Sequence, residues 1–196
     1  MLEAAFRQLV QHGFEGLRVR DVAIKVGINQ ATLLYHFSDK EELIVALVDE
    51  LVGRMRSLNE GQYAIAPGSL GAFESHLRTL LELFIANPAI YVAFNEIGAR
   101  AIRDRRIAVK LAAVEQDWVT YISSLLRAAA ATAPQNLIDA LARSTVIYVR
   151  GIVAKAAGDG TLATLVARRA GRMQAHADLG AAVETLIDMV RARLAA

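Results

Sequence analysis

The chain has 196 residues, of which 55% are hydrophobic and 21% charged, with a formal net charge of +2 and no cysteine. This balance excludes a disordered tail and a disulfide scaffold, and rules out any thiolate metal site or cysteine nucleophile. No uncharged run approaches the ~18 residues needed to cross a bilayer, and Glu3 is unlike the cationic start of a secretory leader, so the expected location is the cytoplasm.

Thirteen glycines, three prolines and few aromatics, with dense Ala, Leu, Ile and Val at helical spacing, predict an all-α chain of one or two domains. So much apolar surface in a chain of this size also points to burial against a second copy. In chain order, Leu2, Ala5, Phe6, Leu9 and Val10 form one apolar helix face, and Gly13 stands where a helix-closing residue belongs. Val19, Val22, Ala23 and Val26 then mark a short helix that Gly27 can end with a positive φ.

Asn29 follows as a cap, whose side-chain oxygen can accept from the free N–H groups two or three residues on. Gln30 to Phe37 then form a two-turn helix set sharply against its predecessor. Leu33, Leu34 and Phe37 can face inward, leaving Gln30, Thr32, Tyr35 and His36 on an outward polar face. A helix of that size with such a face suits the major groove of duplex DNA. Ser38-Asp39-Lys40-Glu41 has the spacing of a capping box between Ser38 and Glu41. Lys40 in that first turn opposes the helix dipole unless a phosphate lies beside it.

Residues 2 to about 52 resemble the N-terminal DNA-binding domain of the tetracycline-repressor (TetR) family of bacterial transcription regulators. The resemblance rests on Leu2-Glu3-Ala4-Ala5-Phe6, Gly13-Phe14, Val19-Arg20-Asp21-Val22-Ala23, Gly27-Ile28, Thr32-Leu33, Tyr35-His36-Phe37 and Lys40-Glu41-Glu42-Leu43. It implies an N-terminal three-helix helix-turn-helix domain, placed at residues 1–46, and a C-terminal helical bundle for ligand binding and dimerisation at residues 47–196. It also implies a homodimeric regulator, acting as a repressor, that binds a near-palindromic double-stranded DNA operator and is released by a small-molecule effector. The expected DNA-contacting set is Arg18, Arg20, Asn29, Gln30, Ala31, Thr32, Tyr35, His36 and Lys40. Arg18 stands where relatives often have a capping Thr or Ser, and Ala31 where they often have Gly. The first helix is expected to start at or near Met1, without the basic residues that relatives usually carry ahead of it.

Charge placement carries more than the total. Residues 1–50 hold Arg7, Arg18, Arg20, Lys25 and Lys40 against eight carboxylates, yet four of those cations lie within residues 18 to 40 against Asp21 and Asp39. Affinity for DNA should therefore fall with salt.

Further on, Leu43, Ile44, Leu47, Val48, Leu51, Val52 and Met55 form the stripe of a long linking helix, and Asn59 to Ser69 reads as a loop. The punctuation after it predicts helices near 70 to 86, 89 to 104, 106 to 131, 135 to 157, 161 to 175 and 179 to 194, with a break near Asp178. Two broad apolar faces, Leu137, Leu141, Tyr148 and Ile152, and Val183, Leu186, Ile187, Val190 and Leu194, are the expected dimer surfaces. Aromatic and polar residues of the body supply the effector-site candidates Phe84, Tyr91, Phe94, Asn95, Trp118, Tyr121, Tyr148 and Arg150, with Glu96 and Arg150 singled out should either charge be buried.

His12, His36, His76 and His176 are widely separated, and the chain has neither a G-x-S-x-G elbow nor a Walker loop. No metal, no cofactor and no enzymatic activity are expected. The alternative function is a ligand-sequestering helical dimer that binds DNA only non-specifically.

Overall fold

The computed structural model describes residues 1–60, 69–166 and 172–195. Among them every regular element is helical: α1 Leu2–Gly16, α2 Val19–Val26, α3 Gln30–His36, α4 Lys40–Glu60, α5 Gly71–Ala86, α6 Pro88–Ala101, α7 Arg105–Ala129, α8 Gln135–Gly158, α9 Thr161–Val166 and α10 Arg172–Ala195. No single helix among the described residues is long and apolar enough to cross a membrane.

The chain divides into two compact units. The first comprises Met1–Ser57 together with Ala89–Ala112, so α6 and the start of α7 join the N-terminal helices although the sequence assigned residues from 47 onward to the larger domain. Its buried side chains follow the expected faces: Ala5, Phe6 and Leu9 on α1, Val22 and Ala23 on α2, Leu33 on α3, and Leu43, Ile44, Leu47, Val48, Leu51 and Val52 on α4. Met55, the last member of that stripe, lies outside the residues whose side chains are described. Arg54 closes the open side of the unit, with its guanidinium 5.2 Å from the Phe6 ring centroid and ion pairs to Glu3 and Glu50, each at 3.0 Å. Hydrogen bonding from Arg54, resisted by partial burial, holds the Glu3 carboxyl below the usual range.

The second unit comprises Leu58–Pro88 and Ala113–Ala196. Its core joins Phe73, Leu77 and Leu80 of α5, Ile122 and Leu126 of α7, Ile138, Leu141 and Ala142 of α8, and Val183, Leu186, Ile187 and Val190 of α10. Tyr148, Ile152, Leu137 and Leu194 pack against that cluster. Of the apolar faces that the sequence offered as dimer surfaces, Leu141, Val183, Leu186, Ile187 and Val190 therefore lie in the core of their own unit, while Leu137, Tyr148, Ile152 and Leu194 are partly buried against it. Period and composition mark a face as buried but not against which partner.

Several boundaries differ from the sequence reading: the helices expected over 89 to 104 and 106 to 131 end earlier, at Ala101 and Ala129. Asp178 lies inside α10 rather than at a break: the helix continues through Gly180, two residues on, and Gln174 donates to the Asp178 carboxylate at 2.7 Å, one turn along. The helix expected over 161 to 175 is accordingly split between α9 and the start of α10, with residues 167–171 outside the described set. Asn59 and Glu60, expected in a loop, complete α4, while residues 61–68 are not described.

Candidate nucleic-acid interface

α2 begins at Arg18, whose side chain makes no cap hydrogen bond. Gln8 of α1 holds the chain at this point, its Oε1 accepting the Arg18 N–H at 3.1 Å. The Arg18 side chain is thereby left exposed, as is that of Arg20. The helix ends as its glycine predicts: Gly27 adopts φ 77° and ψ 27°, the Ile28 N–H reaches the Ala23 carbonyl at 3.0 Å, and the Gly27 N–H reaches that of Ile24 at 3.1 Å. This paired arrangement satisfies the last carbonyls and turns the chain sharply toward α3.

α3 is held at its start by Asn29, whose Oδ1 accepts from the Thr32 N–H at 2.7 Å and from the Thr32 hydroxyl at 2.9 Å. It is held to the unit by Leu33, fully buried. Burying a leucine contributes about 2 kcal/mol, which matters for a seven-residue helix too short to persist alone. Leu34 and Phe37 are half-buried, while Gln30, Ala31, Thr32, Tyr35 and His36 are exposed. Tyr35 is 87% exposed, and its ring meets His36 edge-on at 5.6 Å. An aromatic so open to water has no packing role in the single chain.

The cap of α4 is shifted by one residue from the expected box. Asp39, not Ser38, is the capping side chain, its Oδ1 accepting the Glu42 N–H at 2.8 Å, and Glu42, not Glu41, reaches back to the Ser38 N–H at 3.1 Å. Aspartate and serine cap about equally well, so the register is decided by where the helix starts. Lys40 becomes the first helical residue and is half-buried.

Glu41, freed from the cap, pairs instead with Arg100 of α6 at 2.6 Å. Two further contacts from residues 89–112 hold this unit: Glu96 accepts the Phe14 N–H at 3.3 Å, and Lys110 pairs with Asp49 at 2.6 Å. Glu96 meets α1 where its helical path breaks at Gly13, which has φ 65° and ψ −178°. No local pattern signals Gln8, Glu96 or Arg100 in these roles, because each partner lies 10 to 82 residues away and a single sequence does not record such pairings.

The effector-site candidates fall in both units. In the first, Tyr91 is buried, which pushes its phenol up to about 12, Phe94 is half-buried, and the Asn95 side chain donates to the Tyr91 carbonyl of its own helix at 2.9 Å. In the second, Phe84 is buried, Tyr148 packs against the core, and Trp118 and Tyr121 converge on a residue absent from the candidate set, His76. His76 is 3% exposed. Its Nε2 accepts the Trp118 indole N–H at 3.0 Å and its ring meets Tyr121 edge-on at 5.0 Å. Nδ1 must then carry the proton of the neutral ring, and it is buried with no hydrogen-bond partner among the described residues. Arg150, singled out in case it were buried, is half exposed and ion-paired with Glu115.

Residues 1–47 match the bacterial regulatory proteins of the tetR family. The HTH-type transcriptional repressor AcnR of Corynebacterium diphtheriae is 37% identical over 87 residues, which cover 42% of this chain and 46% of that protein. The AcnR repressor of Corynebacterium efficiens is 40% identical over 55 residues, 28% of this chain and 29% of that protein. The chain thus spans less than half the length of the curated relatives it matches. Among solved structures, a transcriptional regulator from Rhodococcus sp. Rha1 superposes with a TM-score of 0.77 at 21% identity, covering 96% of this chain and 92% of that one. A TetR transcription regulator from Haloarcula marismortui superposes with a TM-score of 0.73 at 16% identity, covering 94% of each. These likenesses extend the shared fold over both units, while the match to the tetR family of bacterial regulatory proteins covers the N-terminal segment, residues 1–47.

Proposed function

We propose that this protein is a sequence-specific DNA-binding transcriptional regulator that represses by occupying a near-palindromic operator as a homodimer and is released by a small-molecule effector. The observation that carries the reading is α3: a helix capped by Asn29, anchored by buried Leu33, and presenting Gln30, Tyr35 and His36 to solvent without a structural task of their own.

The roles divide by chemistry. Gln30, Tyr35 and His36 carry donors and acceptors suited to base edges in the major groove. Ala31, where relatives often have Gly, raises the helix propensity of α3 and limits how closely its backbone approaches the groove. Asn29 and Thr32 bond each other, so they hold the helix first and reach DNA second. Arg18, Arg20 and Lys40 supply phosphate contacts that fix register without reading sequence. Two copies would place their α3 helices about 34 to 36 Å apart, one turn of duplex. An effector that favours a different spacing weakens DNA binding by its difference in affinity for the two states. Its site is assigned to the second unit, where Trp118, Tyr121 and His76 meet.

Selection of bound duplexes from a random library at physiological salt tests the reading. Enrichment of an inverted repeat is expected, and the Gln30→Ala/Tyr35→Ala chain should lose the preference while remaining folded and dimeric. Absence of any enriched sequence, or an operator affinity untouched by the double substitution, would overturn it.

A further inference from the structure

The N-terminal helices are a poor polyanion binder by charge alone, with five basic residues against eight carboxylates in residues 1–50. The same compact unit contains a second group of cations that the helix-turn-helix does not account for. Between positions 100 and 110 lie Arg100, Arg103, Arg105, Arg106 and Lys110, with Asp104 as the sole carboxylate. All belong to the end of α6, the turn after it and the first turns of α7.

Three contacts fix where this turn sits within its unit. Arg100 pairs with Glu41, the residue after Lys40 in the first turn of α4. Arg106 is bound first by Asp104, at 3.2 Å, and also feels the carboxylates of Glu41 and Asp39. Lys110, one turn further into α7, pairs with Asp49, two turns further into α4. The two helices thus run the same way from neighbouring starts, and the turn between α6 and α7 lies beside the N-terminal end of α4, where Lys40 stands.

The cations at this turn are of two kinds. Arg100, Arg106 and Lys110 are neutralised by Glu41, Asp104 and Asp49. Arg103 and Arg105 are exposed, and their side chains take part in no hydrogen bond or ion pair among the described residues. Between Arg100 and Arg103, Ile102 is 83% exposed, so the turn projects from the unit rather than folding onto it. Two unpaired guanidiniums on a projecting turn next to a helix N-terminus form a place for phosphates, since guanidinium binds a phosphate in bidentate fashion and is always charged.

We infer that the turn between α6 and α7 is a second DNA-backbone contact, in which Arg103 and Arg105 bind phosphates of the same duplex that α3 reads. This inference rests on the DNA-binding reading above. It makes the N-terminal unit, and not the helix-turn-helix by itself, the electrostatic partner of the duplex. It also supplies positive charge that residues 1–50, with five basic residues against eight carboxylates, do not provide.

The test measures Kd against salt concentration for the full-length chain and for Arg103→Ser/Arg105→Ser, on the selected operator and on a random duplex of equal length. Each phosphate contact adds about 0.9 to the slope of log K against log salt, so the double variant should lower the slope by roughly 1.8. It should weaken both duplexes by a similar factor and keep their ratio. Lys155→Ser, which removes an exposed cation from the second unit, should leave the slope unchanged. An unaltered slope in the arginine variant overturns the inference, as does a loss confined to the operator, which would mean base reading, or a change in oligomeric state with no change in slope. Should the parent chain bind duplex without preference, the operator reading fails on its own while the slope on random DNA still decides whether these arginines touch phosphate.

Discussion

His76 shows what one buried side chain can impose on the behaviour of the whole protein. Its neutral ring is fixed by the indole of Trp118, and burial pushes its pKa down to about 4 from the usual 6.5. Below pH 6.5 the unfolded chain takes up a proton that the folded chain refuses, so stability is retained above that pH and declines as the pH falls toward 4. Between pH 6.5 and 5 the loss should be roughly 1.5 kcal/mol, at one pKa unit to about 1.4 kcal/mol. Urea melts at these two pH values should show this loss in the parent chain and a clearly flatter response in His76→Phe. The variant will be weaker throughout, because the Trp118 N–H loses its acceptor, so the diagnostic quantity is the difference between pH values. An equal pH dependence in both proteins would mean that His76 is accessible to protons in the folded state. Nothing in the sequence distinguishes His76 from His12 or His176; burial does.

At the scale of elements, the joint between α1 and α6 carries the clearest stored conformational demand. Gly13 combines φ 65° with ψ −178°, a region that only glycine occupies without strain, and a Cβ there would stand 2.9 Å from the Glu96 carboxylate oxygen. Gly13→Ala should therefore cost about 2 kcal/mol in equilibrium unfolding, most of it from backbone conformation. Adding Glu96→Ala should not restore the parent stability, because it relieves the contact but removes the acceptor of the Phe14 N–H. Recovery of full stability in the double variant would show instead that steric contact dominates. The sequence located this glycine and its neighbour Gly27, since both end runs of helical periodicity, and it located α3 from a cap, a short apolar face and a stop. It misplaced the cap of α4 by one residue, because Ser38 and Asp39 are both competent acceptors and only the path of the chain decides between them. What α6 grips was illegible: Glu96 and Arg100 find their partners 82 and 59 residues away, through packing that no local pattern encodes.

For the whole molecule, the decisive question is what covers the outer faces of α8 and α10 once their inner faces are committed. These two helices pack together, and Leu141, Ala142, Val183, Leu186 and Ile187 all enter the core of their own unit. On the opposite side of α8 the exposed residues are Arg143, Ser144, Ile147, Arg150, Gly151 and Ala154, and α10 exposes Thr185, Asp188 and Met189. Ile147 is 71% and Met189 54% exposed, set among small residues that let another helix approach closely. A homodimer formed by the late helices would bury this outer face, not the apolar stripes that periodicity alone selects. A stable association needs about 800 Å² from each partner, with its energy concentrated in a few apolar anchors. Ile147→Glu/Met189→Glu should then convert the chain to a monomer in sedimentation velocity while leaving its helical content and its urea transition essentially unchanged, since neither side chain belongs to the core. Operator affinity should fall by about 100-fold or more, because the second recognition helix is no longer delivered at high effective concentration to the adjoining half-site. Random-duplex affinity should fall much less. A double variant that sediments as a dimer would place the interface elsewhere, and a monomer that still binds the inverted repeat at parent affinity would show that the two half-sites are read independently.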